Sequence, residues 1–97
     1  MATHVVLMKL TDQGIKDIKN AHRQIEAVTK TLEADGGKLT NFYATTGEYD
    51  YVAIAQTPSD EVGLTFVLGL CSTGNVRTTT LLAFTKEQFA EMVNKLP

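Results

Sequence analysis

Val5, Val6, Leu7, Met8 and Leu10 open the chain as a short apolar run broken only by Lys9. Its β-branched content predicts a first strand over 5–10. Thr11, Asp12, Gln13 and Gly14 are turn residues and interrupt it. The period then changes. Ile15 leads in, Ile18, Ile25 and Leu32 recur seven apart, and Ala21 and Val28 fill between them, while Lys19, Arg23, Glu26 and Lys30 fall opposite. At 100° per residue this is one apolar stripe, and it predicts a helix stopped by Gly36 and Gly37. Two further strands are expected over 39–45 and 49–57, joined as a hairpin across 46–48. Thr57 is expected to cap the next helix, with Pro58 at its first position and Asp60 completing a capping-box pattern. That helix, running to Ser72, is apolar almost all round, which demands cover on more than one side. Gly74 ends it. A fourth strand follows over 76–84. Thr85 and Gln88 form a second capping-box pattern, opening a short helix with Phe89, Met92, Val93 and Leu96 at i, i+3, i+4 and i+7.

The order is β-α-β-β-α-β plus a C-terminal helix. Right-handed crossovers convert it into an α+β, ferredoxin-like fold: a four-stranded antiparallel sheet in order 4-1-3-2 with two helices on one face. With 97 residues, a single domain spanning 1–97 is expected. Area scaling for this mass gives roughly 5,500 Å² exposed when folded against about 15,400 Å² unfolded, enough burial for one core and too little for two.

Alternation along the strands divides the sheet into two faces. Val6, Met8, Leu10, Phe42, Ala44, Val52, Ile54, Leu82 and Phe84 are assigned to the helix face. Val5, Leu7, Lys9, Asn41, Tyr43, Tyr49, Tyr51, Ala53, Ala55, Arg77, Thr79, Leu81 and Ala83 then line the open face. An open face with an apolar centre, on the order of 400 Å², is about the largest such patch a monomer tolerates. A homodimer or higher even-numbered oligomer is therefore expected.

Charge narrows the partners. The net charge is −2 with both signs mixed along the chain. No Lys/Arg stripe exists to follow a phosphate backbone, so nucleic acid is not an expected partner. No apolar stretch approaches a membrane span, and residues 1–4 carry neither the basic nor the apolar region of a secretory signal. Cys71 stands alone, which excludes an intramolecular disulfide and suits a reducing, cytoplasmic setting.

Candidate chemistry collects at one end of the sheet, where the end of strand one meets the starts of strands three and four. Lys9, Glu48, Tyr49, Asp50, Asn75 and Arg77 all belong there. Lys9, Tyr49, Tyr51, Arg77 and Thr79 share the open-face parity and form the candidate ligand-binding set. Two cations and a phenol suit a small anionic or aromatic metabolite in a cavity closed by dimerisation; the plainer reading is that Lys9 and Arg77 are rim charges of an assembly interface. Asp50 points toward the helices, where capping of backbone N–H groups is expected, and Gly47 serves the turn. His22 falls within the first helix's apolar stripe, as a core-edge residue or a general base, and His4 lies at the far end of strand one. Two separated histidines and one cysteine give no metal-ligand spacing, and no phosphate loop, dinucleotide fingerprint or catalytic triad is present. No cofactor or metal is expected.

The segment Thr46-Gly47-Glu48-Tyr49-Asp50-Tyr51 resembles the signature of the GYD-domain family, with Gly47, Tyr49 and Asp50 matching. Residues 11–14 and 74–78 are also similar to that family. The resemblance implies a dimeric α-β-barrel and a bacterial or archaeal setting. The family's wider relatives include cofactor-free monooxygenases, muconolactone-isomerase-like enzymes and proteins without known catalysis. Two functions follow: a small-molecule site, as a binding module or cofactor-free enzyme, or a non-catalytic oligomeric assembly module.

Overall fold

Strand β1 (Ala2–Leu10) is the centre on which the rest of the sheet is built. The computed structural model describes all 97 residues, Met1–Pro97. Helix α1 (Asp12–Lys16), a 3-10 turn (Ile18–Asn20) and helix α2 (Ala21–Ala34) lead to β2 (Lys38–Ala44) and β3 (Tyr51–Thr57). Helix α3 (Asp60–Ser72), β4 (Val76–Ala83) and α4 (Lys86–Asn94) complete the chain. All strand pairs are antiparallel, in the order β2-β3-β1-β4, which is the expected order read from the other edge. No helix is long and apolar enough to cross a membrane.

The core lies between the sheet and α2 and α3. Val6, Met8, Ala53 and Ala55 are 0–1% exposed and pack with Leu32 of α2 and Phe66 and Leu70 of α3. Full burial of side chains such as Val6 and Met8 contributes about 1.5–3 kcal/mol each.

Three expectations need correction. The first helix is not continuous. The Thr11 hydroxyl accepts the Gly14 N–H at 3.0 Å to cap the short α1, and the chain then turns at Asp17, whose carboxylate accepts from the Asn20, Gln24 and Asn75 side chains. These bonds hold the backbone in a tighter turn, so Ile15 and Ile18 leave the buried stripe and stand exposed. Secondly, α3 is capped by Ser59, whose hydroxyl accepts the Val62 N–H at 3.3 Å, and not by Thr57. Thr57 is fully buried and shares a 3.1 Å hydrogen bond with His4 Nε2. Its hydroxyl is thus committed to the sheet and unavailable to the helix.

The third correction is the facing of β3. Val6 pairs with Ala53 and Met8 with Tyr51, so Tyr51, Ala53 and Ala55 face the helices, while Val52 and Ile54 lie on the open face. A bulge at Thr40 shifts β2 against β3 between Leu39 and Asn41, and Phe42 and Ala44 keep the helix-side facing expected of them. On β4, Leu82 lies on the helix side as expected, but near the end of the sheet, where it remains 56% exposed.

The expected capping box at Thr85 and Gln88 is present and opens α4. Every residue from Phe84 to the C-terminus is exposed, including Phe89, Met92, Val93 and Leu96. The arm gives the chain a radius of gyration of 14.7 Å. A compact chain of this length is expected near 12.5 Å, on the order of 2 Å less.

Candidate functional site

The open face is organised in cross-strand rows. Thr79, Leu7, Val52 and Tyr43 form one row, and Leu81, Val5, Ile54 and Asn41 the next. Beyond them, Lys9 pairs with Arg77 at one end, and Thr3, Gln56 and Lys38 line up at the other. With Val52 and Ile54 turned to this side, the centre of the face is a continuous apolar field between two polar rims.

The rim around Lys9 gathers most of the candidate ligand set. The Lys9 ammonium lies 3.6 Å from a Glu48 carboxylate oxygen and 5.3 Å from the centre of the Tyr49 ring. Arg77 is its direct neighbour across β1 and β4, and Thr79 stands on the same face. The Lys9 and Glu48 side chains are half exposed or more, so solvent screens this pair and its worth to stability is small. Gly47 has φ of 104°, a left-handed conformation that a residue with a Cβ adopts only with strain, and so supplies the sharp bend before Glu48. Asp50 binds backbone: its N–H donates to the Met8 carbonyl at 2.8 Å and its carboxylate accepts the Leu10 N–H at 2.8 Å. The β2–β3 loop is thereby tied to the end of β1, which is what brings Glu48 and Tyr49 to Lys9.

Tyr51 does not join this group. Its ring lies on the helix side, 5.2 Å from that of Phe42, and only 8% of the residue is exposed. Burial raises its phenol above the ordinary value of 10.0, and the neighbouring Asp50 carboxylate adds to the shift. His22 is also displaced from its expected place. It points to solvent, with Nε2 3.0 Å from the carboxylate of Glu26 one turn on. Cys71 is half-buried beside the Thr78 hydroxyl at 3.3 Å. No three His, Cys, Asp or Glu side chains stand close enough to hold a metal ion.

A buried polar hub at Asn75 has no counterpart in the motif reading. Its side-chain amide donates to Asp17 at 3.0 Å and to Gln24 at 2.7 Å, and its side-chain oxygen accepts from Gln13 at 2.7 Å. Its backbone carbonyl accepts the Thr11 N–H at 2.9 Å. Asn75 is 5% exposed and fully satisfied, so it locks the start of β4 to α1 and α2. Hydrogen bonds from Asn20, Asn75 and Gln24 hold the Asp17 carboxyl below its ordinary 3.8, against a smaller opposing effect of burial. Its signal in the sequence is faint: Asp17 and Gln24 are seven apart beside the Ile18–Ile25 stripe, as one side of a helix requires.

The GYD-domain model matches residues 4–93. A Thermus thermophilus protein described as a glutamine synthetase and cystathionine beta-lyase binding protein is 34% identical over 84 residues, covering 86% of this chain and 88% of the relative. Among solved structures, a Thermus thermophilus protein is similar at 26% identity and a TM-score of 0.53, covering 88% of this chain and 95% of that one. A feast-or-famine regulatory protein of M. tuberculosis, complexed with L-methionine, is similar at 19% identity and a TM-score of 0.66. It shares the fold over 89% of this chain, which spans about half (52%) of the regulator's length. With its signature loop tied to β1 through Asp50 and a family match over nearly its full length, the chain belongs to the GYD-domain family.

Proposed function

We propose that the protein is a homo-oligomeric binding protein that docks onto enzymes of nitrogen and sulfur amino-acid metabolism, with the open sheet face as its self-association surface. One observation carries the self-association. The chain exposes 6562 Å². That is about 1,100 Å² more than the roughly 5,500 Å² scaling expected of a folded monomer of its mass. An excess of this size compares with the about 800 Å² each partner contributes to a standard interface. Exposed apolar side chains contribute to it on the projecting arm (Phe84, Phe89, Met92, Val93 and Leu96) and at Leu81 on the open face, where Val5, Leu7, Val52 and Ile54 are part-exposed. The enzyme-docking part draws on the Thermus relative, described as binding glutamine synthetase and cystathionine beta-lyase.

The test has two stages. Light scattering at micromolar concentration is expected to give an even-numbered oligomer, and Leu7→Glu with Val52→Glu is expected to give a folded monomer. A wild-type monomer would overturn the self-association. Biolayer interferometry with purified glutamine synthetase and cystathionine beta-lyase then tests docking. Binding to neither enzyme would remove the enzyme-docking reading and leave the assembly alone.

A small anionic metabolite at the Lys9 rim is a second reading, favoured by Arg77, which stands beside Lys9 without an ion pair in its own chain. It expects Arg77→Ala to abolish binding of a carboxylate ligand while leaving thermal stability and oligomer mass unchanged. A shift of oligomer mass instead would make Arg77 an interface residue.

A further inference from the structure

The helix side of the sheet holds a feature unrelated to self-association. Between α2 and the strands β2 and β3 lies an open cleft of about 410 Å³. Ile18, Ile25, Phe42 and Tyr51 form its walls, and the His22–Glu26 pair stands at its mouth. Adjoining it is a small, partly open cavity of about 20 Å³, which shares Ala21, Ile25 and Tyr51 with the cleft. The outer volume lies within the roughly 300–1,000 Å³ range of small-molecule sites, and the inner one suffices for about one water.

Tyr51 stands where the two meet. More than nine-tenths of the residue is buried, and its hydroxyl has no hydrogen-bond partner within the chain. No fully buried side-chain polar atom lacks a partner, so this oxygen is one the cleft can reach. Water in the cleft satisfies this oxygen in the free chain, and a ligand carbonyl placed there takes over the water's hydrogen bond. Asn75 and Gln24, on the inner wall, have already spent their amides on the hub and do not compete for it.

The walls define the ligand. Five hydrophobic residues line it, two of them aromatic, which suits an apolar ring. No Lys or Arg lines the cleft, and the one carboxylate at its mouth repels anions. We propose that this cleft binds a neutral, mostly apolar ring compound whose carbonyl oxygen accepts a hydrogen bond from Tyr51. The placement is within one chain, on the opposite side of the sheet from Lys9 and Arg77.

Acetophenone, a neutral aryl ketone of one ring, is a suitable probe. Methyl-labelled protein titrated with it is expected to show saturable shifts at Ile18 and Ile25. Tyr51→Phe removes only an oxygen that no protein group uses, so the variant is expected to fold with unchanged thermal stability. It is expected to bind acetophenone about three- to tenfold more weakly, the effect of one neutral hydrogen bond. Equal affinity in Tyr51→Phe would overturn the proposal. So would shifts centred on Val5, Leu7 and Ile54 of the opposite face, or no saturable shift up to the solubility limit of the ketone.

Discussion

Replacing Asn75 by Ala tests whether a polar hub, rather than apolar packing alone, fixes the broken first helix. The substitution removes hydrogen bonds to Gln13, Gln24 and Asp17 in one step. Counting only the two bonds to the amide side chains, at about 0.5–1.5 kcal/mol each, the loss is about 1–3 kcal/mol. For a domain near 100 residues each kcal/mol moves Tm by about 4–8 °C, so a fall of roughly 5–20 °C is expected. Protein concentration must match between wild type and variant, because the proposed self-association would itself raise Tm. Circular dichroism melts give the stability, and amide hydrogen exchange gives the location. Protection is expected to fall in α1, the 3-10 turn and the start of α2, while β1 and β3 keep theirs. A change of less than about 2 °C would refute the reasoning, since it would mean that water replaces the hub without loss. Uniform loss of protection across the sheet would refute the claim that the hub acts locally.

Two further perturbations probe the same region and the signature loop. A Cβ at Gly14 would overlap the backbone carbonyl of Asn75, an obstacle that cannot swing aside, whereas one at Gly47 meets nothing within 4 Å and suffers only its φ of 104°. Gly14→Ala is therefore expected to cost about 3 kcal/mol or more and Gly47→Ala about 1–2, and chemical denaturation showing the reverse order would refute this. Asp17 has a folded-state pKa lowered mainly by the Asn20 bond, so its stabilisation is fully present above the unfolded carboxyl value near 3.8 and is lost as pH falls through the lower folded value. Asp17→Asn is expected to flatten the dependence of Tm on pH below about 4, and an unchanged slope there would show that Asp17 does not contribute to acid stability.

Topology was legible because each crossover and turn carried its own local signal. Gly36, Gly47 and Gly74 all take positive φ at the three reversals, and the strand order followed from handedness. The gathering of Lys9, Glu48, Tyr49 and Arg77 was legible for the same reason, since order and direction alone bring those strand ends together. The break at Asp17 was not legible, because Ile15 and Ile18 continue a helical period that the bonds converging on Asp17, one of them from the distant Asn75, interrupt. Periodicity reports local preference, and a partner 58 residues away overrides it. His22 was misplaced by the same break: once the helix restarts at Ala21, its rotation turns His22 outward.

The facing of β3 failed for a different reason, and that failure bears on function. Tyr-Val-Ala-Ile-Ala alternates large aliphatic residues with small ones, and the rule that larger apolar residues face the core assigned Val52 and Ile54 to the helices. The sheet does the opposite. Phe66, Leu70 and Leu32 pack over β3 together with the small Ala53 and Ala55, which are 0% and 1% exposed, and with Tyr51 at the strand's start. Val52 and Ile54 then occupy the centre of the open face, beside Leu7 and Val5. On the open face these β-branched residues pack only against their cross-strand neighbours and stay part-exposed, which favours face-to-face association. Their presence, in register with Leu7, Val5 and Leu81, suits the packing of a second sheet on this face. The inverted strand therefore strengthens the self-association argument while moving Tyr51 out of it. The two tyrosines flanking Asp50 are divided between the two faces: Tyr49 beside Lys9 at the rim of the open face, Tyr51 beneath α2 in its own cleft. A single residue step in β3 thus separates the surface proposed for self-association from the cleft proposed for a small ring compound.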